Sequence, residues 1–235
     1  TYPIITIIVA ILVVGVILVF VIPVFQEMFE GLGGDLPVPT KIVVAMSDFT
    51  KDKILYLIIG AVIFFWAFNR YKKTAKGRLT VDAVALKLPV IGPLLRKVAV
   101  AKFTRTMGTM LSSGVAILEA LDIVAKTSGN KVIEGAIYNV RSGIAEGRTM
   151  ADPLSDSGVF PSMVCSMIAV GESTGALDAM LVKIADFYDD EVDQAVENLT
   201  AMIEPFMMVF LGTVIGGLVV AMYLPVFKMA GAISG

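Results

Sequence analysis

The same apolar cassette occurs twice in this chain. Near the start, Tyr2-Pro3 is followed by nineteen residues and then Pro23-Val24-Phe25; near the end, Glu204-Pro205 is followed by nineteen residues and then Pro225-Val226-Phe227. Both interiors are almost wholly apolar. A helix of that length rises roughly 28 Å, close to the thickness of a bilayer's hydrocarbon core. Each copy is therefore expected to cross a membrane, and the membrane helices look duplicated.

Composition agrees with this division. The 235 residues are 57% apolar and only 17% charged, too apolar for an ordinary soluble domain and too charged for a bundle lying wholly in lipid. Residues 4–22, 54–68 and 205–227 are uncharged. The middle run is short, about 22 Å as a helix, but Lys53 and Arg70 flank it and can snorkel, and Trp66 sits near one end. After this run come Arg70, Lys72, Lys73, Lys76 and Arg78 with no acid among them, whereas 24–53 holds three lysines and five acids. The positive-inside rule places residues from 70 onward in the cytoplasm. The expected organisation is a transmembrane helix over 1–23, an extracytoplasmic connector over 24–53, a second transmembrane helix over 54–69, a cytoplasmic domain over 70–203, a third transmembrane helix over 204–227 and an extracytoplasmic tail over 228–235. Because the chain begins almost inside its first apolar run, a cytoplasmic portion is expected upstream.

The cytoplasmic segment reads as all-α, with helical periodicity between glycines and little strand character. Two prolines and a glycine in Leu88-Pro89-Val90-Ile91-Gly92-Pro93 force a turn. Helices are expected over about 94–112, with Phe103, Met107, Met110 and Leu111 on one face, and then over 117–126, 131–145 and 150–155. Phe160-Pro161 opens another over 162–170. Gly171-Glu172-Ser173-Thr174-Gly175 reads as a loop-like interruption, after which a long helix runs from about 176 towards the last crossing, where Pro205 marks a possible kink.

Little enzymatic chemistry is available. The chain has no histidine and one cysteine, Cys165, which excludes an intramolecular disulfide and any imidazole base. The glycines of 171–175 lack the Gly-Lys-Ser/Thr ending of a phosphate-binding loop, and there is no Gly-x-Ser-x-Gly elbow. No carboxylate lies within the apolar runs, and Thr6, Thr213 and Tyr223 are nearly all the polarity a solute path would have. No catalytic residue, metal ligand, cofactor or nucleic-acid partner is expected. Asp189, Asp190 and Asp193 read as a charged helix face before they read as a metal site. A channel subunit and a signalling adaptor remain as alternative classes.

Two charge blocks mark interaction surfaces. Between Arg70 and Arg105 there are ten bases and one acid; between Asp186 and Glu197, six acids and no base. Arg96, Lys102 and Arg105 are candidates for docking an acidic partner. Gly212 and Gly216, with Gly217 beside them, have the small-xxx-small spacing that lets helices approach closely, within or between subunits.

The order of Leu88-Pro89-Val90-Ile91-Gly92-Pro93, Leu111-Ser112-Ser113-Gly114-Val115 with Leu118-Glu119-Ala120-Leu121, Phe160-Pro161, Gly171-Glu172-Ser173-Thr174-Gly175 with Leu177, and Glu204-Pro205 with Leu224-Pro225-Val226-Phe227 resembles the polytopic inner-membrane platform family of type IV pilus and type II secretion machines. That resemblance covers nearly the whole chain. It implies two helical cytoplasmic domains and three membrane helices, the first domain preceding Thr1, and no catalysis. Implied partners are a cytoplasmic hexameric ATPase, the membrane helices of pilins or pseudopilins, other inner-membrane subunits of the machine, and further copies of the same chain. On it, Arg96, Lys102 and Arg105 become candidates for ATPase docking, while Glu119 and Glu172 are candidates for a helix junction or an interface. General likeness favours the pilus over the secretion pseudopilus.

Overall fold

The computed structural model describes residues 2–30 and 37–233. Gly33 and Gly34 of the connector and the last two residues of the tail lie outside the described residues. Within the described residues the regular structure is entirely helical. The chain divides into two compact units, residues 1–67 with 200–235, and residues 68–199.

The first unit is built from the apolar runs. Helix α1 (Tyr2–Val16) passes through a π-helical turn (Ile17–Val21) into α2 (Ile22–Glu30); α3 spans Val38–Lys72; and α10 (Leu177–Ile233) contributes its second half. Among the described residues, three segments are long and apolar enough to cross a bilayer: Ile5–Met28, Val38–Lys72 and Leu177–Pro225. The helix over Val38–Lys72 starts well before the uncharged run 54–68. Its first half carries Thr40, Val43, Val44, Ser47 and Thr50, at steps of three and four that share one face. Val43 and Val44 pack on a small core of Leu18, Ile22 and Leu218.

Two hydroxyls on that face meet a need created by the repeated prolines. Proline has no N–H, so Pro225 leaves the carbonyl of Ala221 without its helical partner. The Thr40 hydroxyl donates to that carbonyl at 2.6 Å. In the π-turn the Ile22 N–H reaches back five residues to Ile17, and by the same register the Leu18 carbonyl would fall to Pro23, which cannot donate. The Ser47 hydroxyl donates to Leu18 instead. The two copies of Pro-Val-Phe thus each expose a carbonyl, and one face of α3 satisfies both. Thr40 and Ser47 are buried.

The second unit is a helical bundle of α4 (Ala75–Lys87), α5 (Ile91–Ser112), α6 (Ile117–Thr127), α7 (Lys131–Ala145), α8 (Ala151–Asp156), α9 (Ser162–Thr174) and the first half of α10. Its core includes Phe103, Met107, Leu121, Ile137, Met150, Leu154, Ile168 and Leu181, all fully buried. Phe103 and Phe160 pack edge to face with ring centroids 5.1 Å apart, which explains the phenylalanine before Pro161. That proline is the N-cap residue of α9. Helix α4 is not among those the periodicity predicts; its start is marked by the Thr74 hydroxyl accepting from the Gly77 N–H. Between α4 and α5, the Ile91 N–H donates to the Pro89 carbonyl at 2.9 Å, closing a γ-turn with Val90 at φ 72°. That is an uncommon conformation for a β-branched residue. Helix α5 begins three residues earlier than expected because Pro93 sits in its first turn, where the missing N–H costs nothing.

The stretch 171–175 is corrected. Helix α9 continues through Thr174 and stops only at Gly175, whose φ of 71° is left-handed. The Ser173 and Thr174 hydroxyls donate back to the Val170 carbonyl at 2.9 and 2.8 Å, a bond available inside a helix. Glu172 therefore belongs to the last turn of α9 and not to a loop.

Replacing Thr40 with Val and Ser47 with Ala should each destabilise the membrane unit by about 1 kcal/mol. Thermal unfolding of the full chain in detergent checks this. The Thr40→Val cost should shrink in a Pro225→Ala background, where Ala221 regains an N–H partner and Thr40 becomes dispensable, whereas the Ser47→Ala cost should not change.

Candidate functional site

The basic and acidic blocks meet inside the second unit, on α5 and α10. Gly108 makes this approach close: a Cβ there would lie 3.1 Å from Val182 and 3.3 Å from Leu181. Three residues earlier, Arg105 donates through one terminal nitrogen to Asp186 at 2.7 Å and Asp189 at 2.6 Å. Those two bonds, Asp189 first, hold the guanidinium proton more firmly than usual. Lys97 reaches Glu191 at 2.6 Å. Lys102 donates to the carbonyl of Thr127, the last residue of α6, where a cation also meets the negative end of the helix dipole.

The three candidate docking bases are placed differently. Lys102 and Arg105 both line an open groove of about 290 Å³ with Val98, Ala101, Thr106, Asp189 and Val192. Arg96 is exposed and has no partner among the described residues; nine positions from Arg105, it lies on the opposite side of α5. On α10, Asp186, Asp190, Asp193 and Glu197 fall at i, i+4, i+7 and i+11, so they share one face, and Asp190, Asp193 and Glu197 are exposed. Among the described residues, no three carboxylate or thiol side chains converge as a metal site.

The two candidate glutamates also differ. Glu172 accepts at 2.6 Å from the Met150 N–H and at 3.2 Å from the Ala151 N–H, so α9 caps the N-terminus of α8. Glu119 is exposed in the first turn of α6, where its charge favours the helix dipole. Gly212, Gly216 and Gly217 have no heavy atom within 4 Å of where a Cβ would stand.

Sequence reasoning missed Asp82. It is buried on α4 and accepts from the Lys131 N–H at 2.7 Å, while the Asn130 side-chain oxygen accepts from Val132 and Ile133. Two side chains from distant parts of the sequence thus hold the start of α7. The available signal was one acid among ten bases. Cys165 is buried, and burial pushes its thiol up from the usual range.

The profile of the family described as type II secretion system protein F matches residues 103–225. Over essentially its whole length the chain is 55% identical to a type IV pilus assembly protein PilC of Myxococcus xanthus and 46% identical to one of Thermus thermophilus. The chain belongs to the platform family of type IV pili and type II secretion systems. A type II secretion system protein F of Pseudomonas aeruginosa is 29% identical over 97% of the chain. The chain spans 56%, 58% and 56% of those three proteins. As a platform-family member it is a multi-pass inner-membrane protein with cytoplasmic and periplasmic segments.

Glu172→Ala should cost about 1–3 kcal/mol, by leaving two N–H groups without their carboxylate, and Glu172→Gln less; thermal unfolding of the full chain reads both. Because a raised thiol pKa lowers the thiolate fraction, alkylation of Cys165 at pH 8 should be much slower than for a free thiol. It should accelerate as pH rises and reach the free rate in denaturant, measured by mass shift against time.

Proposed function

We propose that this chain is part of a non-enzymatic assembly platform of a type IV pilus, coupling a cytoplasmic hexameric ATPase to the insertion or removal of pilin subunits. The observation that carries the reading is the contrast in identity: 55% to a pilus assembly protein and 29% to a secretion protein, each over nearly the full chain. The secretion pseudopilus is the second reading, favoured by the family profile itself. Residues 70–203 face the cytoplasm in this reading, and 24–53 and the C-terminus face the periplasm.

The ATPase docks on the bases of α5, with Lys102 and Arg105 beside the groove and Arg96 on the opposite side of the helix. The groove lined by Lys102 and Arg105 supports this because it joins charge to exposed Val98. Docking an acidic partner there would compete with Asp186 and Asp189 for Arg105, so binding and the α5–α10 clasp are linked. Helix α10 carries both the acidic face and the last apolar run in one helical element, which suits it to bear load. Pilin helices meet the membrane unit.

Arg96→Glu is the clean test of docking, since its side chain makes no hydrogen bond or ion pair among the described residues. It should weaken co-purification of the full-length platform with its ATPase while leaving the melting temperature unchanged. The triple reversal of Arg96, Lys102 and Arg105 should weaken association further. Unchanged association in both variants would refute the docking surface. Crosslinking in fibre-producing membranes should join 76–200 to the ATPase and the spans to pilin; pseudopilin in its place moves the reading to secretion.

A further inference from the structure

Helix α4 turns outward a face that solvent does not explain. Lys76, Leu79, Thr80, Val84 and Lys87 fall at i, i+3, i+4, i+8 and i+11, so they share one side of the helix, and all five are exposed. The other side is used by the bundle, where Gly77, Asp82 and Leu86 are buried. A solvated helix face is polar, yet Leu79 and Val84 are each 53% exposed between the two lysines. The apolar surface continues into the γ-turn, where Leu88 and Val90 are exposed.

Charge and position say what covers this face. From Arg70 to Ile91 there are six bases and one acid, and the acid is turned inward, where Asp82 accepts from the Lys131 N–H. Arg70, Lys72, Lys73, Lys76 and Lys87 are exposed, and among the described residues none of them forms an ion pair. The helix also starts beside an apolar run: α3 carries 54–68 on to Lys72, and only Lys73 and Thr74 separate it from α4. The Thr74 hydroxyl donates to the Tyr71 carbonyl at 2.7 Å and accepts from the Gly77 N–H at 3.1 Å. A Cβ on Gly77 would stand 2.1 Å from the Tyr71 carbonyl oxygen. The first turn of α4 is therefore locked against the last turn of α3 by a contact that only glycine permits.

We propose that α4 lies along the cytoplasmic leaflet, with its lysines on anionic phospholipid headgroups and Leu79 and Val84 in the apolar boundary beneath them. This rests on the reading that residues from 70 onward are cytoplasmic. Bases beside a membrane helix attract anionic lipid, and an apolar strip between lysines binds in the plane of the interface while the lysine stems snorkel. Helix α4 is then covered on both sides, by the bundle on one and by lipid on the other.

The test uses the full-length platform with Cys165→Ala, in nanodiscs of phosphatidylcholine with or without phosphatidylglycerol. Leu79→Cys or Val84→Cys carries a fluorophore, and lipids bearing a nitroxide near the headgroup quench it. The expected result is equal quenching at both positions with phosphatidylglycerol. That quenching should be lost in phosphatidylcholine alone, at high salt, and when Lys73, Lys76 and Lys87 are changed together to Gln, with the melting temperature unchanged. Quenching that falls from Leu79 to Val84 means that the helix stands away from the surface, and overturns the proposal. So does quenching indifferent to anionic lipid. Probes that lipid leaves unquenched but the ATPase shields indicate a protein cover instead, and also overturn it. Ser155→Cys, exposed on α8, separates the two readings. If an impermeant thiol reagent reaches it only from the periplasmic side of cells, the cytoplasmic placement fails; if it is reached from the cytoplasmic side and quenching is absent, the lipid contact alone fails.

Discussion

Every backbone donor and acceptor withdrawn from water needs a partner, and this requirement organises both units. In the membrane unit it is sharpest, because lipid offers no substitute. The repeated Pro-Val-Phe creates the need twice, at Leu18 and at Ala221, and Thr40 and Ser47 answer it from one face of α3. The duplicated prolines are thus tied to a pair of hydroxyls seven residues apart in a segment outside the repeats. The same logic governs the helix starts of the second unit. Asp82 reaches the first N–H of α7, and Glu172 reaches the Met150 and Ala151 N–H groups at α8. Carboxylates suit these positions because they accept two bonds and favour the positive end of a helix dipole.

Charge serves a different purpose. The basic stretch of α5 and the acidic stretch of α10 neutralise one another in part, through Arg105 with Asp186 and Asp189 and through Lys97 with Glu191. These pairs are partly solvated, so they set register and availability more than stability. What remains unpaired is as informative as what is paired. Arg96 on one side of α5 and Asp190, Asp193 and Glu197 along α10 are exposed and unpaired among the described residues, whereas Arg105 is held by two carboxylates. Beside these exchangeable surface contacts stands a fully packed core that includes Phe103, Phe160, Met150 and Ile168.

Much of the fold was legible. The apolar runs and the glycine punctuation determine an all-α membrane chain, and the helix over Lys131–Ala145 was placed at both ends, because Asn130 and Gly147 are strong local signals. The misread stretch 171–175 shows where local signals mislead. Two glycines around Glu-Ser-Thr look like a loop, yet only Gly175 adopts a left-handed conformation. Gly171 is helical, and a Cβ there would stand 3.0 Å from Leu177; its glycine answers to packing and not to a turn. The helix through 38–53 was hidden for the opposite reason. Lys41, Asp48, Lys51, Asp52 and Lys53 interrupt its apolar pattern, and a narrow stripe of hydroxyls and valines is a weak periodic signal.

The sequence by itself determined what can be read from local chemistry: which segments are apolar enough for lipid, which residues start and stop helices, how charge is distributed, and which family the ordered motifs belong to. Tertiary structure decided which groups meet. No spacing rule joins Thr40 to Ala221, Asp82 to Lys131 or Arg105 to Asp189, because each bond links positions tens to hundreds of residues apart and depends on packing to bring them together. It also decided which apolar side chains are packed and which stay exposed, as those of 54–68 do. Whether an apolar surface is covered depends on the whole arrangement of neighbours, and that arrangement is not encoded in any short stretch of chain.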